Sequence, residues 1–346
     1  MILTSGELYF IGEFDLKLGQ RTDFFKIGIV RHGAKEERTS QDRLLEHQTG
    51  NPRRLEVIYK LDCDAVEAIE TNLHYRLAPH RVYGEWMRLD EKSLQTAIEE
   101  AQFLKEQMVQ TVQVFQEAEQ LKLQVSKEEK LPPSIDSDIW YAKVQDSKVL
   151  SKACELEMEK YKELLTKALD QGEDVSIFIT RRQRAGSSKL DEESLKKKHP
   201  EIFSKFSVSE SKVKGRFLVT LVKEWKNSLD VINPGASDTL KEFASEVAKA
   251  ETNGITSALH NLYLGIVSLK AYADWEEELA KTQLRKLCGG FEGITGICTW
   301  KRVEQVEEKF NKDLFAQEHP ELNAEFTLVS QPITYIRVET RAAYQG

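Results

Sequence analysis

The chain has 346 residues, 40% of them hydrophobic and 31% charged, with a formal net charge of -8. That length allows about two or three domains with a sizeable core, and the hydrophobic share excludes a disordered chain. The acidic total excludes a general nucleic-acid coat, although a nuclease needs only a local basic track. Cys63, Cys154, Cys288 and Cys298 form no CxxC pair and have no His at zinc spacing, so they read as reduced, mostly buried thiols. No apolar run approaches the ~20 residues that span a bilayer, and the first residues lack a signal-peptide core. A cytoplasmic protein without membrane contact is expected.

Residues 1–90 read as one small α/β unit. Leu8 to Ile11 and Phe24 to Val30 are β-rich runs joined by a polar stretch containing Gly19, which suggests an antiparallel hairpin. Ser40 to Gln48 reads as a helix that stops before Gly50-Asn51-Pro52. Leu55 to Leu61 is a third strand. Asp64 is expected to cap a helix running to about Leu77, with Val66, Ile69, Leu73 and Leu77 on one face.

Residues 91 to about 128 form one long helix with an apolar stripe from Leu94 through Ala101, Leu104 and Met108 to Phe115. The stripe could pack on its own chain or, since it partly keeps heptad spacing, on a second copy. Leu131-Pro132-Pro133-Ser134 breaks the helix and marks a boundary, so 91–130 is a helical connector and 139–346 an accessory domain.

The rear half contains an internal repeat. Lys189 to Phe206 (KLDEESLKKKHPEIFSKF) aligns with Lys309 to Phe326 (KFNKDLFAQEHPELNAEF), and the register extends both ways. Each copy, about 150–222 and 270–342, reads as helix, strand, helix, strand; two copies are too few for a solenoid and suggest one pseudo-symmetric domain. The connection between them reads as mostly helix, Thr239 to Ala250 and Thr256 to Tyr272. The fold class is therefore α+β: a small antiparallel sheet flanked by helices, a long helix, and a duplicated domain.

The front unit holds residues suited to phosphodiester hydrolysis, which needs an activated water, charge neutralisation on the phosphate and a cation facing the transition state. Glu70, on the helix after the third strand, is a hard-oxygen donor suited to Mg²⁺ or Mn²⁺. Arg43 and His47 lie four apart, hence on one helix face. The Arg43 fork could clamp the phosphate, while His47 could position the water, assist proton transfer or touch the backbone. Tyr9 and Lys26 are expected opposite one another on the hairpin, where an ammonium would favour a phenolate and make Tyr9 a candidate general base. Each piece alone is uninformative; their order and spacing carry the reading.

With those residues in view, Gly6 to Leu89 resembles the GIY-YIG endonuclease superfamily, in a phage and bacterial branch with a KIG second half-motif and a closing Gly-Glu-Trp segment. The matching stretch runs YFIGEF, FKIGIV, DRLLEHQTGNPRRLEVI and AIETNLHYRLAPHRVYGEWMRL. The resemblance implies a three-stranded antiparallel sheet and gives Tyr9 and Lys26 the places of the two motif tyrosines. It makes Arg43 the helix arginine and Glu70 the metal ligand, with His74 and Glu85 as supporting residues.

For nucleic acid, Arg53 and Arg54 form a small basic cluster near this site. A larger one lies in the first repeat copy, including Arg181, Arg182, Arg184, Lys196, Lys197 and Lys198. From Arg181 to Arg216 there are eleven basic residues against five acids, whereas Lys301 to Ile336 has four against seven. Either the basic copy touches nucleic acid, or the two copies attract one another. The repeats also resemble, over about 45 residues per copy, the tail segment of YqaJ-type phage recombination exonucleases, which suggests a phage, prophage or antiphage-defence setting. The expected function is a metal-dependent endonuclease acting on DNA, with RNA also open. The alternatives are an inactive nucleic-acid-binding protein, or an interaction protein that forms homo-oligomers through the 91–128 helix or the repeats.

Overall fold

The computed structural model describes residues 3–33, 38–49, 51–173, 175–221, 234–248 and 255–339. It is a mixed α+β structure, about 52% helix and 27% strand. The front sheet is antiparallel and built on the hairpin β1 (Gly6–Asp15) and β2 (Gln20–Arg31), with β3 (Arg54–Cys63) on the other side of β1. Beyond β2 lies a short hairpin, β4 (Arg81–Tyr83) and β5 (Trp86–Arg88), so the sheet has five strands in the order β3-β1-β2-β5-β4. These last strands have only three residues each, too few for a periodic sequence signal.

Strand alternation divides β1 between two cores. Leu8 and Phe10 face α2 (Val66–Arg76) and the long helix α3 (Glu91–Lys122). Tyr9 and Ile11 face the opposite side, with Leu44 of α1 (Ser40–Gln48). Thr39 and Asp42 close a reciprocal capping box at the start of α1. The Asp64 cap expected for α2 is absent. Ala65 occupies the cap position, and Asp64 instead accepts a hydrogen bond from Ser5 Oγ at 3.0 Å.

The apolar stripe of α3 is consumed by its own chain, since Leu94, Ala97, Ala101, Leu104, Met108 and Phe115 join the core of α2 and the sheet. The helix stops at Lys122, and the following segment runs extended, bonding through Lys127 and Leu131 to residues near 291 and 294. Ser134 then caps α4 (Ile135–Asp170).

α4 runs antiparallel to α8 (Ile255–Cys288), with Val144 beside Ala280 and Leu284 at one end and Leu165 beside Leu259 at the other. Another helix, α7 (Pro234–Val247), packs against the pair. Shifted by 120 positions, the offset of the repeat, α4 overlies α8, so the duplicated unit reaches upstream of the similarity visible in sequence.

The two copies are intertwined. In the first copy β6 (Ile179–Arg184), β7 (Ser188–Leu190), β8 (Ser207–Gly215) and β9 (Leu218–Val219) are its strands. They pair respectively with β14 (Ile333–Val338), β13 (Thr327–Val329), β12 (Arg302–Phe310) and β11 (Cys298–Thr299) of the second, all antiparallel, and β11 pairs on its other side with β10 (Gly293–Ile294). Between β7 and β8 lie the short helices α5 (Glu192–Lys198) and α6 (Pro200–Lys205); α9 (Lys312–Glu318) and α10 (Pro320–Glu325) are their counterparts. The repeated His-Pro-Glu marks the junction of each helix pair, and His199 and His319 share one backbone conformation (φ -132°, ψ 62°). Each histidine stands edge-on against a phenylalanine of the other copy: His199 against Phe326 and His319 against Phe206. Leu190, Leu195, Phe203, Phe206, Phe315 and Phe326 make one shared core.

Candidate active site

Tyr9 is almost fully buried on β1 and faces Gly28 of β2. A side chain on Gly28 would stand 2.6 Å from the Tyr9 hydroxyl oxygen, so the glycine of the Lys-Ile-Gly segment is what lets the ring lie across β2. Lys26 is opposite Ile11, not Tyr9. The two site residues therefore share a face but stand diagonally, because the register is set by the whole hairpin. The cation on the Tyr9 hydroxyl is Arg43, which donates a hydrogen bond to it from α1. Burial raises the Tyr9 pKa, the Arg43 contact opposes this, and the Glu85 and Glu70 carboxylates add to the rise, leaving the hydroxyl above its ordinary value.

Arg43 also pairs with Glu46 on its own helix. One turn further on, His47 is pushed down to about 4, first by burial and then by the charges of Lys26 and Arg43. It is thus a neutral imidazole near pH 7, and its Nε2 is buried without a hydrogen-bond partner. Lys26 is buried and paired with Glu85, at the tip of the β4–β5 hairpin. That tip is a two-residue turn in which Gly84 adopts a positive φ of 54°. Trp86, next to Glu85, packs against the Tyr9 and Leu44 cluster.

Behind this pair lies a buried polar chain. The two His74 ring nitrogens are both engaged: Nε2 lies 3.2 Å from the Ile27 carbonyl, and Nδ1 lies 3.3 Å from Arg81 Nη2. As guanidinium can only donate, His74 Nδ1 accepts and Nε2 carries the proton. Burial, assisted by Arg81, pushes its pKa down to about 4. His74 is therefore a neutral spacer within the fold. Arg81 donates from Nη1 to the Gly84 carbonyl and from Nη2 to Ser268 Oγ on α8, each at 2.7 Å. Arg81 and Ser268 escape a sequence reading: Arg81 is one unpaired arginine in the quoted stretch, and Ser268 is nearly 200 positions from Glu70.

Glu70 lies on α2 beside Thr71, His74, Arg81 and Glu85 around a cavity of about 300 Å³. Its far wall is Leu264, Val267, Ser268 and Ala271 of α8. Tyr9, Lys26, Arg43, His47, Glu70, His74 and Glu85 thus converge from the hairpin, α1, α2 and the β4–β5 turn. Among the described residues no group of three or more His, Cys, Asp or Glu side chains is arranged to hold a metal ion. The donors at this site are the Glu70 and Glu85 carboxylates. Two hard oxygens beside an open cavity fit Mg²⁺ or Mn²⁺, ions bound through one or two carboxylates with several positions left to water and phosphate oxygen.

The other basic residues are placed differently. Arg53 bonds the buried Glu13 at 2.8 Å, and Arg54 pairs with Glu56 while lying over Phe14. Arg181 pairs with Asp170, and Arg182 with Glu339 at 2.6 Å; Arg184 and Lys197 are exposed. Lys196, Lys198, Lys205 and Lys214 pair with Glu308, Glu325, Glu318 and Glu307, all of the second copy. The charge asymmetry between the copies is thus partly spent between them. No helix of the described residues is long and apolar enough to cross a membrane.

Residues 9–102 match the T5orf172 domain, a phage-associated, nuclease-related domain. No curated protein and no solved structure matches the chain. The matched segment takes in every residue around the cavity except those of α8, together with the first turns of α3. The front of the chain is thus similar to a phage-associated, nuclease-related domain.

Proposed function

We propose that the chain is a metal-dependent endonuclease of the GIY-YIG type that hydrolyses phosphodiester bonds in DNA, in a phage, prophage or antiphage-defence setting. The observation that carries this reading is that Tyr9, Arg43, His47 and Lys26 gather within electrostatic reach of one another and of Glu85, which with Glu70 lines the cavity. Glu70, with Glu85 beside it, would hold Mg²⁺ or Mn²⁺, which when bound neutralises charge on the phosphate and the leaving oxygen.

The chain's own residues divide the remaining work. Arg43 offers a planar fork to the scissile phosphate, exchanging its bond to Glu46 for the stronger charge of the substrate. Lys26 adds a second cation on the same face. His47 is the better placed of the two candidate bases: it is a neutral imidazole whose Nε2 has no hydrogen-bond partner, whereas burial holds the proton on Tyr9. A phosphate drawn to Arg43 and Lys26 offsets the charges that depress His47, raising its pKa toward the range in which it can take a proton from water. Tyr9 acts as a hydrogen-bonding group that orients Arg43.

The test is incubation of the full chain with linear, supercoiled and single-stranded DNA, and with RNA, in Mg²⁺ or Mn²⁺. Cleavage by wild type that Glu70→Ala abolishes, with DNA binding retained, supports the reading. Failure of wild type to cut any of these with either metal removes it.

A further inference from the structure

The cavity beside Glu70 is closed by a helix that lies far outside the matched domain. α8 supplies Leu264, Val267, Ser268 and Ala271, and only Ser268 is polar. Its buried hydroxyl accepts the Arg81 guanidinium and itself donates to the Leu264 carbonyl at 3.3 Å, so it is held by its own helix. Arg81 is buried, and the hydrogen bonds it makes go to Gly84, Ser268 and His74, all neutral groups. A guanidinium without a bonded carboxylate is an expensive thing to bury, and a simple core would do better with an apolar residue.

The chain of contacts ends at the reactive side chains. Arg81 Nη1 holds the carbonyl of Gly84, next to Glu85. His74 holds the carbonyl of Ile27, next to Lys26. The Lys26–Glu85 pair is therefore gripped from behind on both strands. The docking of α8 is itself firm: Tyr75 of α2 stacks on Tyr272 at 4.3 Å, and Trp275 stacks on Phe115 of α3.

We propose that Ser268, acting through Arg81 and His74, is a positioning residue for the Lys26–Glu85 pair, so that α8 completes the cleavage site; this rests on the nuclease reading above. The front domain and the duplicated domain then form one catalytic unit, and cleavage depends on a hydroxyl about 200 positions from Glu70.

The test uses the full chain with Ser268→Ala and Ser268→Thr. Cleavage of DNA in Mg²⁺ is followed as kcat and KM, alongside thermal melting and the ¹⁵N signals of His74 in histidine-labelled protein. Ser268→Ala is expected to lower kcat about tenfold, the usual effect of losing a supporting hydrogen bond. KM should stay near wild type, melting should fall modestly because a buried guanidinium N–H loses its acceptor, the His74 Nδ1 signal should shift, and Ser268→Thr should restore rate, melting and signal together. An unmoved His74 signal, or a wild-type kcat in Ser268→Ala, overturns the proposal. If wild type cleaves nothing, the nuclease reading fails by itself. The His74 signal then decides the relay: a shift in Ser268→Ala supports it, and no shift overturns it.

Discussion

Tyr9 lies across Gly28, with its hydroxyl oxygen where a side chain on the glycine would have to go. This contact ties the two short front motifs to each other and hands the Tyr9 hydroxyl to Arg43. Gly28→Ala should force the ring off β2. Overpacking of this kind costs about 1–3 kcal/mol. A urea titration should show that loss, and cleavage should fall at least about tenfold as the Arg43 contact is displaced.

The pH response of stability follows from two histidines. Burial, with the charges of Lys26 and Arg43, pushes His47 down to about 4; burial, with Arg81, does the same to His74. An unfolded histidine titrates near 6.5, so above about pH 7 neither state is protonated and the full stability is present. Below about pH 6.5 the unfolded chain takes up protons that the folded chain refuses, so stability falls until the folded histidines titrate near 4. Thermal melting should decline through that window, and His47→Gln should flatten the decline. An equal slope in wild type and variant would contradict the assignment.

Lys196, Lys205 and Lys214 spend their charge on Glu308, Glu318 and Glu307 of the second copy. The triple change of these lysines to Gln should leave the slope of log affinity for DNA against log salt within about one unit of wild type. A slope shallower by about three, the loss of three phosphate contacts, would mean that the lysines leave their partners for DNA. Since exposed pairs contribute about 0–1 kcal/mol each, stability should change little.

Phe315 is completely buried between Phe206, Phe310 and His319 in the core shared by both copies. Phe315→Ala should cost about 3–5 kcal/mol. Because the strands of one copy pair with those of the other, hydrogen exchange should show protection lost together in β8 and β12.

The sequence by itself determined the front hairpin, α1 to the residue, the α+β class and the 120-residue repeat. These rest on local physics: alternation along β1 and β2, the Ser40 and Asp42 start of a helix, and a His-Pro-Glu junction written twice. It also proposed Tyr9, Lys26, Arg43, His47 and Glu70 as site residues from their order and spacing, and His74 and Glu85 through the family resemblance. Tertiary structure alone decided which cation meets Tyr9, since hairpin register moved Lys26 to Ile11 and α1 packing brought Arg43 in. It decided which lysines of the basic copy pair with acids of the other, since antiparallel pairing between copies has no signature in either copy. It placed Ser268 behind Arg81, because a contact across nearly 200 positions depends on how helices dock and leaves no periodicity to read. Local patterns are dictated by neighbours along the chain; the partners of a buried charge are dictated by what the fold stacks against it.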